Sequence, residues 1–417
     1  MRQYLLLLLV VASSLAHSRL RFDNYQVHRV HPKTPEQLQA LRQLEESGNG
    51  YDFWTDIGYA HKPVDIMVPP HMKYNFEDFL KLQNLKSELY IKNVQKLIDQ
   101  ERITTKNHTR ATDWKRYQTL DEIYAWMDSL QAQYPGIVQS VVGGQSYEGR
   151  QIRGVKVSYK SGNKAAFIEG GIHAREWIAP ATVTYMLNQL LTSSDPAVRD
   201  VAENHDWYIF PSVNPDGYVY THTRDRMWRK TRKPYGLCVG ADPNRNWGYQ
   251  WMNGGASNNP CFDTYAGSSP FSEIETKSLS DYMETFMDKI EVYFDFHAYS
   301  QYLMFPYGHA GLEVPKNNAL LHKIGRKAGQ VLAQRYGTIY SVGNIPEVIY
   351  VASGGSCDWV MNKMDAEHNG GHVYVYELRD TGRHGFLLPA DQIIPTGEET
   401  LDSVVSIMQD VRASRKH

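Results

Sequence analysis

From Thr119 onward the chain alternates apolar runs with amphipathic stretches, and this alternation limits the fold more than any other property of the sequence. "GIVQSVVGG", "IRGVKVS", "KAAFIEGGI", "DWYIFPSVN", "KIEVYFDFHAY", "TIYSVG" and "GHVYVYELRD" have strand length. Several lack the polar alternation of a strand with one wet face. Such strands are buried on both sides, which predicts an α/β domain with a central β-sheet covered by helices on both faces. Stretches such as "PATVTYMLNQLLTS" and "NALLHKIGRKAGQVLAQRYG" supply the helices, and no internal repeat is present. In such sheets ligands gather beyond the carboxyl ends of the strands, so candidate functional residues are sought there.

The front of the chain follows another pattern. "YQVHRVHP", "YDFWTDI", "VDIMVPP" and "LYIKNV" read as strands, while "TPEQLQALRQLEE" and "FEDFLKLQNLK" read as amphipathic helices. The order β-α-β-β-α-β predicts a small ferredoxin-like α+β domain over residues 19–102. A polar connector, 103–116, precedes a body spanning 117–417. Exposed polar segments are where chains are nicked, with Arg110, or earlier Lys106 or Arg102, as the expected cleavage points. Asn107-His108-Thr109 is a glycosylation sequon in the same stretch. Residues 1–18 combine a basic start with "LLLLLVVASSLA", which predicts a signal peptide cleaved after Ser18, with Ala16 as the competing choice. No later run approaches ~18 apolar residues, so the expected product is secreted and outside the membrane; it is also expected to be a monomer.

A formal net charge of −2, with 22% charged and 42% hydrophobic residues, argues against nucleic-acid or anionic-membrane partners. Cysteine usage is sparse. In an oxidising compartment Cys238, Cys261 and Cys357 allow one disulfide and one leftover thiol. Cys238 and Cys261 share a Gly/Asn/Pro-rich stretch where a staple would order a loop, and they are the expected pair.

Chemistry concentrates at strand ends. In "GGIHAREWIAP" two glycines end a strand, and His173 and Glu176 fall in the turn that follows, where both side chains can reach one point. Zinc accepts imidazole nitrogen and carboxylate oxygen, and a catalytic site uses three protein ligands, His₂Glu being one such set. The spacing alone is weak evidence. A third ligand must come from another strand end, and "VYFDFHAYSQ" offers His297, although a lone histidine there is more often a hydrogen-bonded core residue. In "GADPNRNWG", Asn244 and Arg245 are adjacent donors suited to gripping a carboxylate. Glu377, at the end of the apolar strand in "VYVYELRDTGR", is placed for proton transfer.

The ordered set "GIHAREW", "NPDG", "RMWRKTR", "CVGADPNRNW", "FHAYSQ", "IYVASGGSCDW" and "YELRDTGRHGFLLP" closely resembles the secreted zinc metallocarboxypeptidases of the pancreatic A/B type. The resemblance covers the whole chain and implies a mixed central sheet preceded by an activation domain. It further implies that His173, Glu176 and His297 bind one Zn²⁺, that Glu377 is general base and acid, and that Arg229 stabilises the oxyanion. Asn244, Arg245 and Tyr350 would hold the substrate's terminal carboxylate. Arg175 and Tyr299 would serve outer subsites, and Phe386 the cleft wall. Asp242 would orient the first zinc histidine. Implied partners are peptide or protein C-termini, an activating trypsin-like protease and proteinaceous carboxypeptidase inhibitors.

The family's side-chain pocket is read mainly at the position of Cys357, where enzymes preferring basic residues carry an aspartate. Here it is a small neutral thiol, with Gly308, Ile345, Ala352 and Val375 at other pocket positions. The resemblance therefore implies an A-like preference for aromatic or aliphatic C-terminal residues.

Overall fold

The computed structural model describes residues 19–107, 113–311, 313–368 and 370–415. The expected signal peptide and the Arg110 cleavage point lie outside them. The front segment forms a four-stranded sheet from β1 (Gln26–His31), β2 (Asp52–Phe53), β3 (Val64–Val68) and β4 (Lys86–Ile91), in the order β2-β3-β1-β4. Helices α1 (Pro35–Glu46) and α2 (Lys73–Leu82) complete the expected β-α-β-β-α-β unit. Its start is locally encoded: Pro35 opens α1, and the Thr34 hydroxyl accepts from the backbone N–H of Gln37 at 3.3 Å. Val30, Leu41, Ile66 and Phe76 form its core.

The next helix, α3 (Val94–Asn107), passes through the expected domain boundary at 102. Its buried stripe, Val94, Ile98 and Glu101, has helical spacing. Glu101 is the one acid of that stripe. It is buried because Arg226 donates to its two carboxylate oxygens at 2.9 and 3.0 Å. The far end of the expected connector is docked as well. Trp114 is buried and donates to the Thr184 hydroxyl at 3.1 Å, and the Tyr117 hydroxyl donates to the Leu388 carbonyl at 2.7 Å.

The body is built on an eight-stranded sheet. Its strands are β5 (Val138–Gln145), β6 (Gln151–Val157), β7 (Ala165–Gly170), β8 (Asp206–Phe210), β11 (Ile290–Ala298), β12 (Tyr302–Phe305), β13 (Ser341–Asn344) and β14 (His372–Leu378). The pairs β9 (Pro234–Tyr235) and β10 (Cys238–Val239) form a separate hairpin. The order is β13-β12-β14-β11-β7-β8-β6-β5. Strands β14, β11, β7 and β8 run parallel at the centre, and antiparallel pairs flank them, so the sheet is mixed. The flanking helices are α4 (Leu120–Gln133), α5 (Ile178–Thr192), α6 (Pro196–Glu203), α7 (Pro215–Thr223), α8 (Ile274–Glu284), α9 (Asn318–Tyr336), α10 (Ile345–Val348), α11 (Ser356–His368) and α12 (Ile393–Ser414). Helix α12 packs on α5 and α9, while α11 packs on β11 and β14.

Every residue of β7 is buried, as the unbroken apolar run predicts. Gly171 then turns the chain at φ +66°, and a Cβ there would sit 3.0 Å from the Pro180 ring and 3.2 Å from the Pro211 carbonyl oxygen. The Gly144–Arg150 stretch joins β5 and β6 as a hairpin. Cys238 and Cys261 form the expected disulfide, and Cys357 is a buried free thiol.

Removing one partner of a buried ion pair costs about 3–5 kcal/mol because the other charge is stranded. Glu101→Ala is therefore expected to loosen α3 from the body. Time-resolved limited trypsin digestion of the full chain measures this as faster cutting near the end of α3.

Candidate metal centre and cleft

Three adjacent parallel strands end at one place. β7 leads into the turn holding His173 and Glu176, β11 carries His297, and β14 carries Glu377. In the register His297 lies beside Glu377, and Asp295 lies beside both Val375 and Glu169. Because residues two apart on a strand face the same way, Asp295 and His297 share a side.

His173, Glu176 and His297 are buried, and their ligand atoms lie within 4.8 Å of one another. The Nδ1 atom of His173 is 2.8 Å from Glu176 Oε1, that of His297 is 3.1 Å from Glu176 Oε2, and the two Nδ1 atoms are 3.1 Å apart. Tetrahedral donors at ordinary zinc distances are separated by about 3.3 Å. The donor set and its spacing thus fit a zinc ion.

Asp242 organises the surroundings. Its Oδ1 faces His173 Nε2 at 3.0 Å and accepts from the backbone N–H of Asn244 at 2.8 Å. Its Oδ2 accepts from Arg229 Nε at 3.2 Å and Nη2 at 2.8 Å. Burial alone would push this carboxyl up, but Arg229, His173 and Arg245 hold it well below the usual carboxylate range. Glu377 is the opposite case. Burial drives its affinity for a proton well up, Glu176 adds to this, and His297 and Arg229 pull against it. Its Oε2 has no hydrogen-bond partner among the described residues.

A cavity of about 300 Å³ opens over these groups. His173, Glu176, Arg229, Asn244, Arg245, His297, Tyr299, Tyr350, Glu377 and Phe386 line it, with Ile345, Ala352, Cys357 and Val375 at the apolar end. Gly308 stands just behind that wall: a Cβ there would meet the Ala352 carbonyl at 2.7 Å and Ile345 at 3.2 Å. Burial and the neighbouring Asp358 push the Cys357 thiol well up, so it is neutral. Asp358 itself accepts from the backbone N–H groups of Gly308 and His309.

The front segment roofs the cavity. Arg245 Nη2 donates to Asp56 Oδ2 at 2.9 Å. Arg175, expected at an outer subsite, is buried outside the cavity lining, donates to Asp52 Oδ1 at 3.1 Å and lies 4.3 Å from the Phe386 ring centre. The Tyr299 hydroxyl donates to Asp65 Oδ2 at 2.7 Å, which also pairs with Arg29 at 2.6 Å. Trp54 packs on Phe386 with ring centres 5.1 Å apart. Gly58 passes so close to Ile349 and Tyr350 that a Cβ would meet the Ile349 carbonyl at 2.9 Å. None of Asp52, Asp56 and Asp65 was singled out in the sequence, where each is one acid among many. Asp295 was also missed, although an acid inside an otherwise apolar strand two residues before a histidine is a usable signal.

Fold and cleft together define a zinc carboxypeptidase made with an activation segment, and comparison with known proteins places the chain in that family. The zinc carboxypeptidase family model matches residues 123–403, and the carboxypeptidase activation peptide model matches 28–101. The chain is a metallocarboxypeptidase enzyme. It is 46% identical to zinc carboxypeptidase A 1 of Anopheles gambiae over 97% of this chain and 94% of that protein. Its fold matches the crystal structure of thrombin-activatable fibrinolysis inhibitor with a TM-score of 0.86 and 32% identity, covering 94% of this chain and 99% of the other. It also matches bovine thrombin-activatable fibrinolysis inhibitor, solved in complex with tick carboxypeptidase inhibitor, with a TM-score of 0.67 and 36% identity over 72% of this chain and 99% of that one.

The contact between Asp56 and Arg245 yields a direct expectation. In Asp56→Ala the roof loses its hold on Arg245, and the uncleaved chain gains basal activity, by about tenfold if the contact contributes about 1.4 kcal/mol. Hydrolysis of a small peptide substrate by the intact chain, with cleavage monitored on a gel, is the measurement.

Proposed function

We propose that the chain is the zymogen of a secreted exopeptidase that removes aromatic or aliphatic residues from the C-termini of peptides and proteins. Residues 1–18 are read as the signal peptide and 19–102 as the activation domain. A trypsin-like protease acting at Arg110, Lys106 or Arg102 would free the catalytic body. Among the described residues no helix is long and apolar enough to cross a membrane. The observation that carries the reading is the meeting in one cleft of a buried His₂Glu set, a Glu377 oxygen with no hydrogen-bond partner among the described residues and an Arg245 guanidinium already holding a carboxylate.

His173, Glu176 and His297 would hold a zinc ion, which would lower the pKa of a coordinated water to about 7, polarise the scissile carbonyl and favour the ionised form of Glu377. Glu377 then takes the proton of the attacking water and delivers it to the leaving amine. A carboxyl whose surroundings raise its proton affinity suits both steps. Arg229, held rigid by Asp242, donates to the oxyanion. A preorganised donor of this kind is worth on the order of 3 kcal/mol. Arg245, with Asn244 and Tyr350, takes the terminal carboxylate that Asp56 mimics in the zymogen. An internal residue has no such carboxylate, so cleavage is confined to chain ends. At the apolar end of the cavity, Ile345, Ala352, Val375 and the neutral Cys357 offer a cation no partner, which supports the A-like preference. The tick inhibitor bound to the bovine relative supports protein inhibitors as further partners.

After limited trypsin treatment, peptides ending in Phe or Leu are expected to be trimmed and those ending in Arg left intact. The reverse ranking in a C-terminal residue panel would refute the pocket argument. Glu377→Gln should keep zinc near one per chain while kcat falls by roughly 10²–10⁴-fold. Retained turnover would remove Glu377 from the mechanism.

A further inference from the structure

The two histidines of the metal centre are arranged alike. Each turns Nδ1 toward Glu176, and each turns Nε2 toward a buried aspartate: His173 toward Asp242 at 3.0 Å, and His297 toward Asp295 Oδ2 at 2.9 Å. We infer that Asp295 is a positioning residue for His297: its carboxylate accepts the Nε2–H and thereby fixes the ring with Nδ1 presented to the metal. The inference rests on reading His173, Glu176 and His297 as the zinc ligands.

Asp295 is fully buried, in a strand whose neighbours Phe294 and Phe296 are fully buried as well. A carboxylate there carries a desolvation penalty unless something compensates it. Its Oδ2 accepts from the Ser356 hydroxyl at 3.2 Å, and its Oδ1 has no hydrogen-bond partner among the described residues. The Nε2–H of His297 is the other donor to Oδ2, at 2.9 Å. The cross-strand neighbour Glu169 does not compete for that role. Burial and the charge of Asp295 push Glu169 up to about 8, which leaves it neutral at pH 7.

A second group approaches the same nitrogen. Asn244 Nδ2 lies 3.1 Å from His297 Nε2, and its Oδ1 is fixed by the Ser356 backbone N–H at 2.9 Å. Were Asn244 the donor, Nε2 would be unprotonated and the ring proton would sit on Nδ1, the atom facing Glu176 and His173. That tautomer could not present Nδ1 to a metal. It would also set a lone pair against the Asp295 oxygen. The proton therefore belongs between Nε2 and Asp295, where a carboxylate both selects the tautomer and raises ligand basicity.

The test is zinc affinity of the full-length chain, measured by competition with a chromophoric chelator. Loss of such an outer partner typically weakens metal binding 10–100-fold, and Asp295→Asn and Asp295→Ser are each expected to do so. Their zinc-free forms should keep the wild-type circular dichroism spectrum, a property that a general loss of structure would not leave unchanged. Affinity within twofold of wild type would overturn the inference. A wild-type chain binding no zinc would instead overturn the ligand reading beneath it. Should neither variant fold, ¹⁵N-histidine-labelled wild type in the zinc form decides. Strongly deshielded Nε2–H resonances are expected for both His173 and His297, and their absence for His297 would sink the assignment.

Discussion

Parallel alignment of β7, β11 and β14 is the constraint on which the rest of the molecule depends. Three neighbouring strands running the same way finish at one edge, so whatever follows each of them is delivered to a common place without long loops. Two consequences follow. His297 and Glu377 are side by side, one strand apart, and the Gly170–Gly171 turn brings His173 and Glu176 to meet them. The same burial that makes these strands apolar also removes water from the charged groups at their ends. Each buried acid must then find a partner or a proton. Asp242 finds Arg229 and His173, Asp295 finds His297, and Glu169 keeps its proton.

The activation segment works on the same electrostatic terms. It does not merely cover the cleft. Its acids Asp52, Asp56 and Asp65 reach Arg175, Arg245 and Tyr299, and Trp54 covers Phe386. Farther back, the bidentate pair between Glu101 and Arg226 anchors α3, and Arg226 also donates to the carbonyl oxygens of Arg175 and Phe386. The anchor and the covered residues are thus connected through one guanidinium.

Much of this was legible in the sequence, for reasons that differ by residue. The doubly buried strands stood out because an unbroken apolar run has few other uses, whereas β12, only Tyr302–Phe305, was too short to register. His173 and Glu176 gained meaning only with His297 and Glu377, because H-x-x-E alone fits many charged turns. The run of α3 past residue 102 was not legible, because Glu101 looks like a solvated charge until Arg226 is known to face it. Arg175 was expected to face substrate, and in the zymogen it faces Asp52. No local pattern encodes that, since the two residues come from different domains.

The hold of Asp56 on Arg245 has a consequence for how such a chain can change. On the proposed function, latency and the hold on a substrate's terminal carboxylate draw on the same side chain, so they are not independently adjustable. A substitution that reshapes that hold also alters the surface on which the roof sits. On that reading the activation segment carries, in Asp56, a likeness of the chain end its own enzyme would accept.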